Sequence, residues 1–303
     1  MVRKEDNMKR IILTLIILTI LITACANEKD IIKKSDERPI VYASFYPLYF
    51  ITEEIGKDNI DLRLVIPNGV DSHHYEPSLK QLQDMEKAHL FIYNGAGFES
   101  WAEKLIGSII DEERTLRASD YVDLIQIDGQ VDPHIWLDPN NMNIIGEKVR
   151  DRLIEVDKAN KDMYEKNYSK LSESLGKLDR DFRESLANKK KDTILVSHAA
   201  FGYMGKRYAF KQIAVAGISP EQEPSPGTIA QIIDLAEREG FQYIFLETLA
   251  NPKTVDIIAE EGNLKILTLN PIEGLTEEEV SRGEDYISIM KENLNNLKKA
   301  LVD

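Results

Sequence analysis

The longest periodic stretch of the chain lies near its middle. Between Asn160 and Leu186 the apolar side chains Tyr164, Tyr168, Leu171, Leu175, Leu178 and Phe182 recur every three or four positions, which places them on one face of a long helix. From Pro139 to about Ala187 almost no strand-forming residues cluster, so the whole segment is expected to be helical. On either side the pattern changes. Short β-branched and aromatic runs alternate with helical ones, with strands at Ile40 to Phe45, Leu62 to Ile66 and His89 to Tyr93, and helices at Leu48 to Ile55 and Trp101 to Ile110. The alternation resumes after the middle. Strands are predicted at Thr193 to Val196, Gln212 to Val215, Tyr243 to Leu246 and Leu264 to Leu269. Helices are predicted at Phe201 to Tyr208, Pro226 to Glu239, Pro252 to Glu261 and Gly283 to Leu301. Strands punctuated by helices define βα units with mainly parallel sheets. The expected fold class is therefore α/β, two lobes joined by a long helix. No internal repeat is visible, although both lobes carry a similar order of elements.

The start of the chain follows a different rule. Lys9 and Arg10 precede an apolar run from Ile11 to Ile22, which closes on Thr23, Ala24 and Cys25. A positive end, an apolar run short for a membrane span and small residues before the cut describe a secretory signal; the alternative is an uncleaved anchor helix. Either form puts the folded part outside the cytoplasm at a membrane surface. Residues 26–38 are charged and aperiodic, as suits a tether. The expected organisation is a signal over 1–24, a tether over 25–38, an N-terminal lobe over 39–158, a linking helix over 159–187 and a C-terminal lobe over 188–303.

The formal net charge is −14, and the first 24 residues hold four Lys/Arg against two Asp/Glu. The remainder is thus more acidic still, a surface that repels nucleic acid. Cys25 is the single cysteine, which leaves none for disulfides or thiolate ligands. Any bound metal must be held by nitrogen and oxygen.

Imidazole is the commonest protein ligand for such a metal, and three of the five histidines occupy loop-like segments. His73 lies in GVDSHHYEP, His134 in DPHIWLDP and His198 in VSHAAFGY. In open parallel sheets the ligand crevice forms beyond the carboxyl ends of the strands. His73 follows the second predicted strand, His198 follows Val196, and Glu273 comes four residues after Leu269. His134 can reach the same crevice from the first lobe. Two ligands from each lobe would close a site between them. His74 adjoins His73, and neighbouring side chains of an extended loop point to opposite sides, so His74 is expected in solvent or behind the ligand. His89, at the head of an apolar strand, is expected to be a structural histidine. Glu247 ends a strand and either supports a ligand or starts a helix.

Five ordered motifs, GVDSHHYEP, DPHIWLDP, VSHAAFGYMGKRY, GISPEQEPSP and LNPIEGLT, resemble those of the zinc-type substrate-binding lipoproteins of ATP-binding-cassette importers. The resemblance runs from Pro39 to the C-terminus. It implies two α/β lobes bridged by a rigid helix, with metal held between them by His73, His134, His198 and Glu273. It further implies a diacylglycerol on Cys25, a membrane permease as partner, and a monomer on the extracytoplasmic face. Three imidazoles and one carboxylate suit four-coordinate zinc, whereas manganese prefers more oxygen; manganese-type relatives carry a glutamate at the third position and an aspartate at the fourth. Zn(II) is therefore the expected cargo, with Mn(II) the alternative. Two departures stand out. Ser72 occupies a place where the family often has proline, which predicts a looser His73 loop, and the histidine-rich loop of many zinc members is missing between Leu116 and Asp132. No extra metal-binding domain is expected beyond Asp303.

Two other functions fit parts of this pattern. Three histidines with a water in the fourth position would suit a zinc hydrolase, but there is no HExxH helix and no evident nucleophile; Glu273 decides, since a ligating carboxylate closes the site. A surface adhesin with structural metal is the second. No catalytic residue is expected.

Overall fold

The computed structural model describes residues 38–303 apart from 128 and 221–223, so the predicted signal, Cys25 and most of the tether lie outside the described residues. Among the described residues no helix is long and apolar enough to cross a membrane.

The first sheet consists of β1 (Ile40–Ala43), β2 (Asp61–Leu64), β3 (Leu90–Tyr93) and β4 (Thr115–Arg117), all parallel, in the order β2-β1-β3-β4. The strands β5 (Gln126–Ile127) and β6 (Gln130–Val131) form a small antiparallel hairpin. The second sheet is β7 (Thr193–Val196), β8 (Lys211–Ala214), β9 (Tyr243–Leu246) and β10 (Lys265–Thr268), again parallel, in the order β10-β9-β7-β8. Each sheet thus places its first strand between its second and third. The strand order reverses at that point, which is where parallel sheets open a crevice for ligands.

The helices are α1 (Tyr46–Gly56), α2 (Leu79–Met85), α3 (Ser100–Leu105), α4 (Pro139–Val156), α5 (Lys161–Ser185), α6 (Gly202–Tyr208), α7 (Pro226–Glu239), α8 (Lys253–Glu261), α9 (Glu277–Arg282) and α10 (Tyr286–Leu301). The long helix α5 buries Tyr164, Leu171, Leu175, Leu178 and Phe182, the stripe read from the sequence. It packs on α1 and α4 of the first lobe and on α10 of the second. One continuous apolar core runs through both lobes and includes these residues together with Trp136 and Tyr286.

Several predicted bounds differ. The helix expected over Trp101 to Ile110 stops at Leu105, because Gly107 adopts a left-handed conformation (φ 79°) that turns the chain and lets Ile106 bridge to Ile110. The expected last helix, Gly283 to Leu301, begins later, at Tyr286, where Asp285 starts α10 through a capping box with Ser288. Gly283, left-handed at φ 69°, instead ends α9, a short helix that the sequence reading did not predict. The sequence reading also passed over α2, β4 and the hairpin, each seven residues or shorter.

Polar contacts then seat the lobes on each other. Trp136 Nε1 donates to the Pro271 carbonyl at 2.6 Å, Tyr286 Oη donates to the Trp136 carbonyl at 2.7 Å, and Leu275 N donates to Asn68 Oδ1 at 3.2 Å. Ser72 is buried, and its hydroxyl lies 3.4 Å from the Glu273 carbonyl. The serine, from which a looser His73 loop was expected, thus faces the opposite lobe from a buried position.

Candidate metal centre

The loops that carry the expected ligands share one local device. In Asp71-Ser72-His73 and in Asp132-Pro133-His134 the aspartate Oδ1 accepts the backbone N–H two residues on, at 2.8 and 3.0 Å. Asn270 Oδ1 does the same for Ile272 N at 2.7 Å, just before Glu273. Such turns fix the backbone of a loop without a strand or helix. His198 needs none, since it stands two residues beyond the end of β7.

These loops bring His73, His134, His198 and Glu273 together: each offers one donor atom, and the four atoms lie within 4.8 Å of one another. Glu273 Oε1 is 3.2 Å from His73 Nε2, 3.8 Å from His134 Nε2 and 3.9 Å from His198 Nε2, and His134 Nε2 is 3.2 Å from His198 Nε2. A tetrahedral zinc site with bonds of about 2.0–2.1 Å has edges of about 3.3 Å. The two shorter separations already match such an edge, and the other two exceed it by about 0.5 Å. Glu273 directs one oxygen at all three imidazoles, which is the geometry of a fourth donor.

Burial makes the site one-sided. His134 and His198 are wholly buried, whereas the side chains of His73 and Glu273 are each 9% exposed. A cavity of about 530 Å³ borders Glu273 on the open side, with Asp71, Ser197, Glu247, Leu249 and Asn270 also in its wall. Phe98 presses edge-on against the His73 ring at 5.1 Å between centroids, and Trp136 lies 5.2 Å from the His134 ring. These aromatics exclude water from the inner side of the cluster.

Each buried imidazole has a carboxylate behind it. Asp132 Oδ1 is 2.7 Å from His134 Nδ1, and Glu247 Oε1 is 2.5 Å from His198 Nδ1, with Ser197 Oγ also donating to Glu247. The hydrogen bond from Asp132 fixes the His134 ring and aims its Nε2 at the metal position. Glu247 thus lies beside His198, and the helix α8 begins only at Lys253. Burial alone would depress the His134 pKa, but hydrogen bonding to Asp132 and Glu273 outweighs it and raises the value to about 9. Burial likewise works against the Glu273 carboxylate, yet hydrogen bonds to His134 and His73 and the charges of His73 and His198 hold it well below the usual range. The metal-free cluster thus retains a proton that zinc must displace.

The remaining histidines lie elsewhere. His74 is mostly exposed, 3.9 Å from Asp71, and His89 Nδ1 accepts the Ile40 N–H at 3.0 Å. Sequence reasoning gave Asp132 no role of its own and overlooked Glu99. Glu99 is buried and accepts the backbone N–H groups of Asn94 and Gly95 at 2.8 and 3.0 Å, which shapes the loop carrying Phe98. The Asp-x-His spacing was the available signal for Asp132; nothing local marked Glu99.

Fold and site together define a two-lobed α/β binding protein with an imidazole–carboxylate centre between its lobes. Residues 41–300 match the family model described as zinc-uptake complex component A, periplasmic, and the chain belongs to that family. It is 33% identical to the high-affinity zinc uptake system protein ZnuA of Bacillus subtilis, over 93% of this chain and 94% of that protein. It is 32% identical to the zinc-binding lipoprotein AdcA of Streptococcus pneumoniae, of which it spans 61%. The solved Zn(II)-bound ZnuA-like domain of AdcA superposes with a TM-score of 0.80 at 32% identity, covering 88% of this chain and all of that domain. The laminin-binding protein Lmb of Streptococcus agalactiae, titled a bifunctional protein with adhesin and metal transporting activity, gives 0.79 at 29% identity, covering 87% and 99%.

Proposed function

We propose that this chain captures Zn(II) outside the cytoplasm through His73, His134, His198 and Glu273 and delivers it to the permease of an ATP-binding-cassette importer. The observation that carries this reading is the convergence of four donor atoms within 4.8 Å from four separate loops, two in each lobe. Family membership supplies the transport role. Three nitrogens and one oxygen favour four-coordinate zinc over manganese, and the solved zinc-bound relative accords with that choice.

The role is binding and not catalysis. A carboxylate oxygen facing all three imidazoles fills the position that a hydrolase leaves to water. Membrane attachment is proposed through a lipid on Cys25, with the folded part as a monomer at the outer face. The likeness to Lmb adds one secondary reading, a surface adhesin in which metal supports the fold. Adhesion that persists after removal of the ligands would separate it from transport.

The deciding experiment is elemental analysis of the purified protein followed by competition between zinc and manganese in titration calorimetry. One equivalent of zinc, not displaced by excess manganese, is expected. Preferential retention of manganese would overturn the zinc assignment.

A further inference from the structure

Asp132 belongs to the first lobe, and its carboxylate is wholly buried. Oδ1 holds His134 twice, at the backbone N–H (3.0 Å) and at Nδ1 (2.7 Å). Oδ2 has no hydrogen-bond partner. It is instead packed against the first residue of α6, Gly202, which comes from the second lobe. A Cβ built on Gly202 would stand 2.5 Å from Asp132 Oδ2, with Ile125 Cδ1 at 3.0 Å and Ile127 Cδ1 at 3.2 Å closing the other sides. Van der Waals contact requires far more room than 2.5 Å, so any side chain here must turn the Asp132 carboxylate. Turning it takes Oδ1 away from both His134 nitrogens. The next residue grips the same segment, since Tyr203 Oη donates to the Asp132 carbonyl at 3.0 Å and accepts the Ile125 N–H at 3.2 Å.

We infer that Gly202 and Tyr203 form an interlobe latch that sets the His134 imidazole through Asp132, making zinc affinity depend on how the second lobe seats against residues 125–134. Gly202 supplies the absence of a side chain and Tyr203 the hydrogen bonds; both are positioning residues, and neither touches metal. Seating the lobes then orients one ligand of the first lobe, and drawing them apart loosens it. A partner that separates the lobes would thereby release metal without competing for it. This inference rests on the zinc reading above.

The test is a double-mutant cycle on the full folded domain, with zinc affinity from competition against a chromogenic chelator and coordination geometry from the visible spectrum of the cobalt-loaded protein. Gly202→Ala is expected to weaken zinc binding about 10- to 100-fold, the range for loss of a group behind a metal-ligating histidine, and to change the cobalt bands. In an Asp132→Ala background the same substitution should cost less than twofold, because its route to His134 is gone. Tyr203→Phe, which adds no volume, should weaken zinc at least threefold, and it carries the test alone if the alanine variant fails to fold. Binding within twofold of wild type for both variants, or an unchanged cost of Gly202→Ala without Asp132, would overturn the latch. A wild-type chain that takes up no zinc in the same titration sinks the zinc assignment itself, and the latch with it.

Discussion

A metal-ligating imidazole usually has its other nitrogen held, and here Asp132 hydrogen-bonds His134 Nδ1 while the Glu247 carboxylate stands 2.5 Å from His198 Nδ1. The two layers predict separable losses. His198→Ala removes a donor and should cost at least about tenfold in zinc affinity, read by titration calorimetry; unchanged affinity would remove His198 from the ligands. Glu247→Gln keeps the donor and should cost less, with stoichiometry intact. Protonation adds a prediction of opposite signs. The folded pKa of His134, raised to about 9 from an ordinary 6.5, makes a contribution to metal-free stability that is fully present below 6.5 and lost as pH rises through about 9. Zinc competes with that proton, so its binding should tighten over the same window, by up to about tenfold per unit. Calorimetry at pH 8, in buffers of different ionisation enthalpy, would show close to one proton released for each zinc bound, because His134 is still mostly protonated there. A dissociation constant flat across the window would refute the retained proton. The ligands themselves were legible because histidine in a Pro- and Asp-marked loop is chemically specific. Asp132 was hidden because aspartate there has an adequate bland explanation as a turn former.

At the scale of elements, helices do for Glu273 what carboxylates do for the histidines. The loop from Leu269 to Leu275 carries Ile272 at φ 59°, a left-handed conformation that costs a β-branched residue about 1–3 kcal/mol. It persists because α9 and α10 grip Asn270, two residues before it. Asn293 of α10 accepts from Asn270 N at 2.8 Å and donates to its carbonyl at 2.7 Å, while Asn270 Nδ2 donates to Glu279 of α9 at 2.8 Å. Asn293→Ala would leave both backbone groups of Asn270 unpaired and buried. It should cost about 1–3 kcal/mol in denaturant unfolding and weaken zinc several-fold as Glu273 drifts; an affinity identical to wild type would show that the loop holds Glu273 unaided. None of this was readable beforehand. The periodicity of α5 and the apolar runs of β7 and β9 announced themselves, since the helix buries one regular stripe and the strands bury consecutive residues on both faces. Short elements such as α2 and β4 carry too few positions to establish a period, and the strain at Ile272 has no sequence signature, because isoleucine is a poor choice for it.

On the scale of the molecule, the two sheets repeat one strand order, β2-β1-β3-β4 and β8-β7-β9-β10, without a repeat visible in sequence. That geometry presents the carboxyl ends of both sheets to one crevice, and the net charge of the whole chain, −14, favours cations over anions. Attachment is tested separately: Cys25→Ser should move the protein from the membrane to the soluble fraction, and continued acylation or membrane retention would contradict the anchor. The strongest global consequence comes from sharing ligands between lobes. His73 and His134 stand on one lobe and His198 and Glu273 on the other, with one apolar cluster running beneath both, so a bound ion cross-links parts that unfold together. Metal that binds the folded chain alone stabilises it by mass action, about 2.7 kcal/mol at a free concentration ~100 times the dissociation constant. For a chain of this size each kcal/mol moves the midpoint by about 2–4 °C, so zinc should raise Tm by about 5–10 °C in differential scanning calorimetry, with the unfolding remaining a single transition. Chelation should reverse the shift, and Glu273→Ala should shrink it. Two resolved transitions, only one of them moved by zinc, would mean that the ion sits on one lobe and does not bridge the pair.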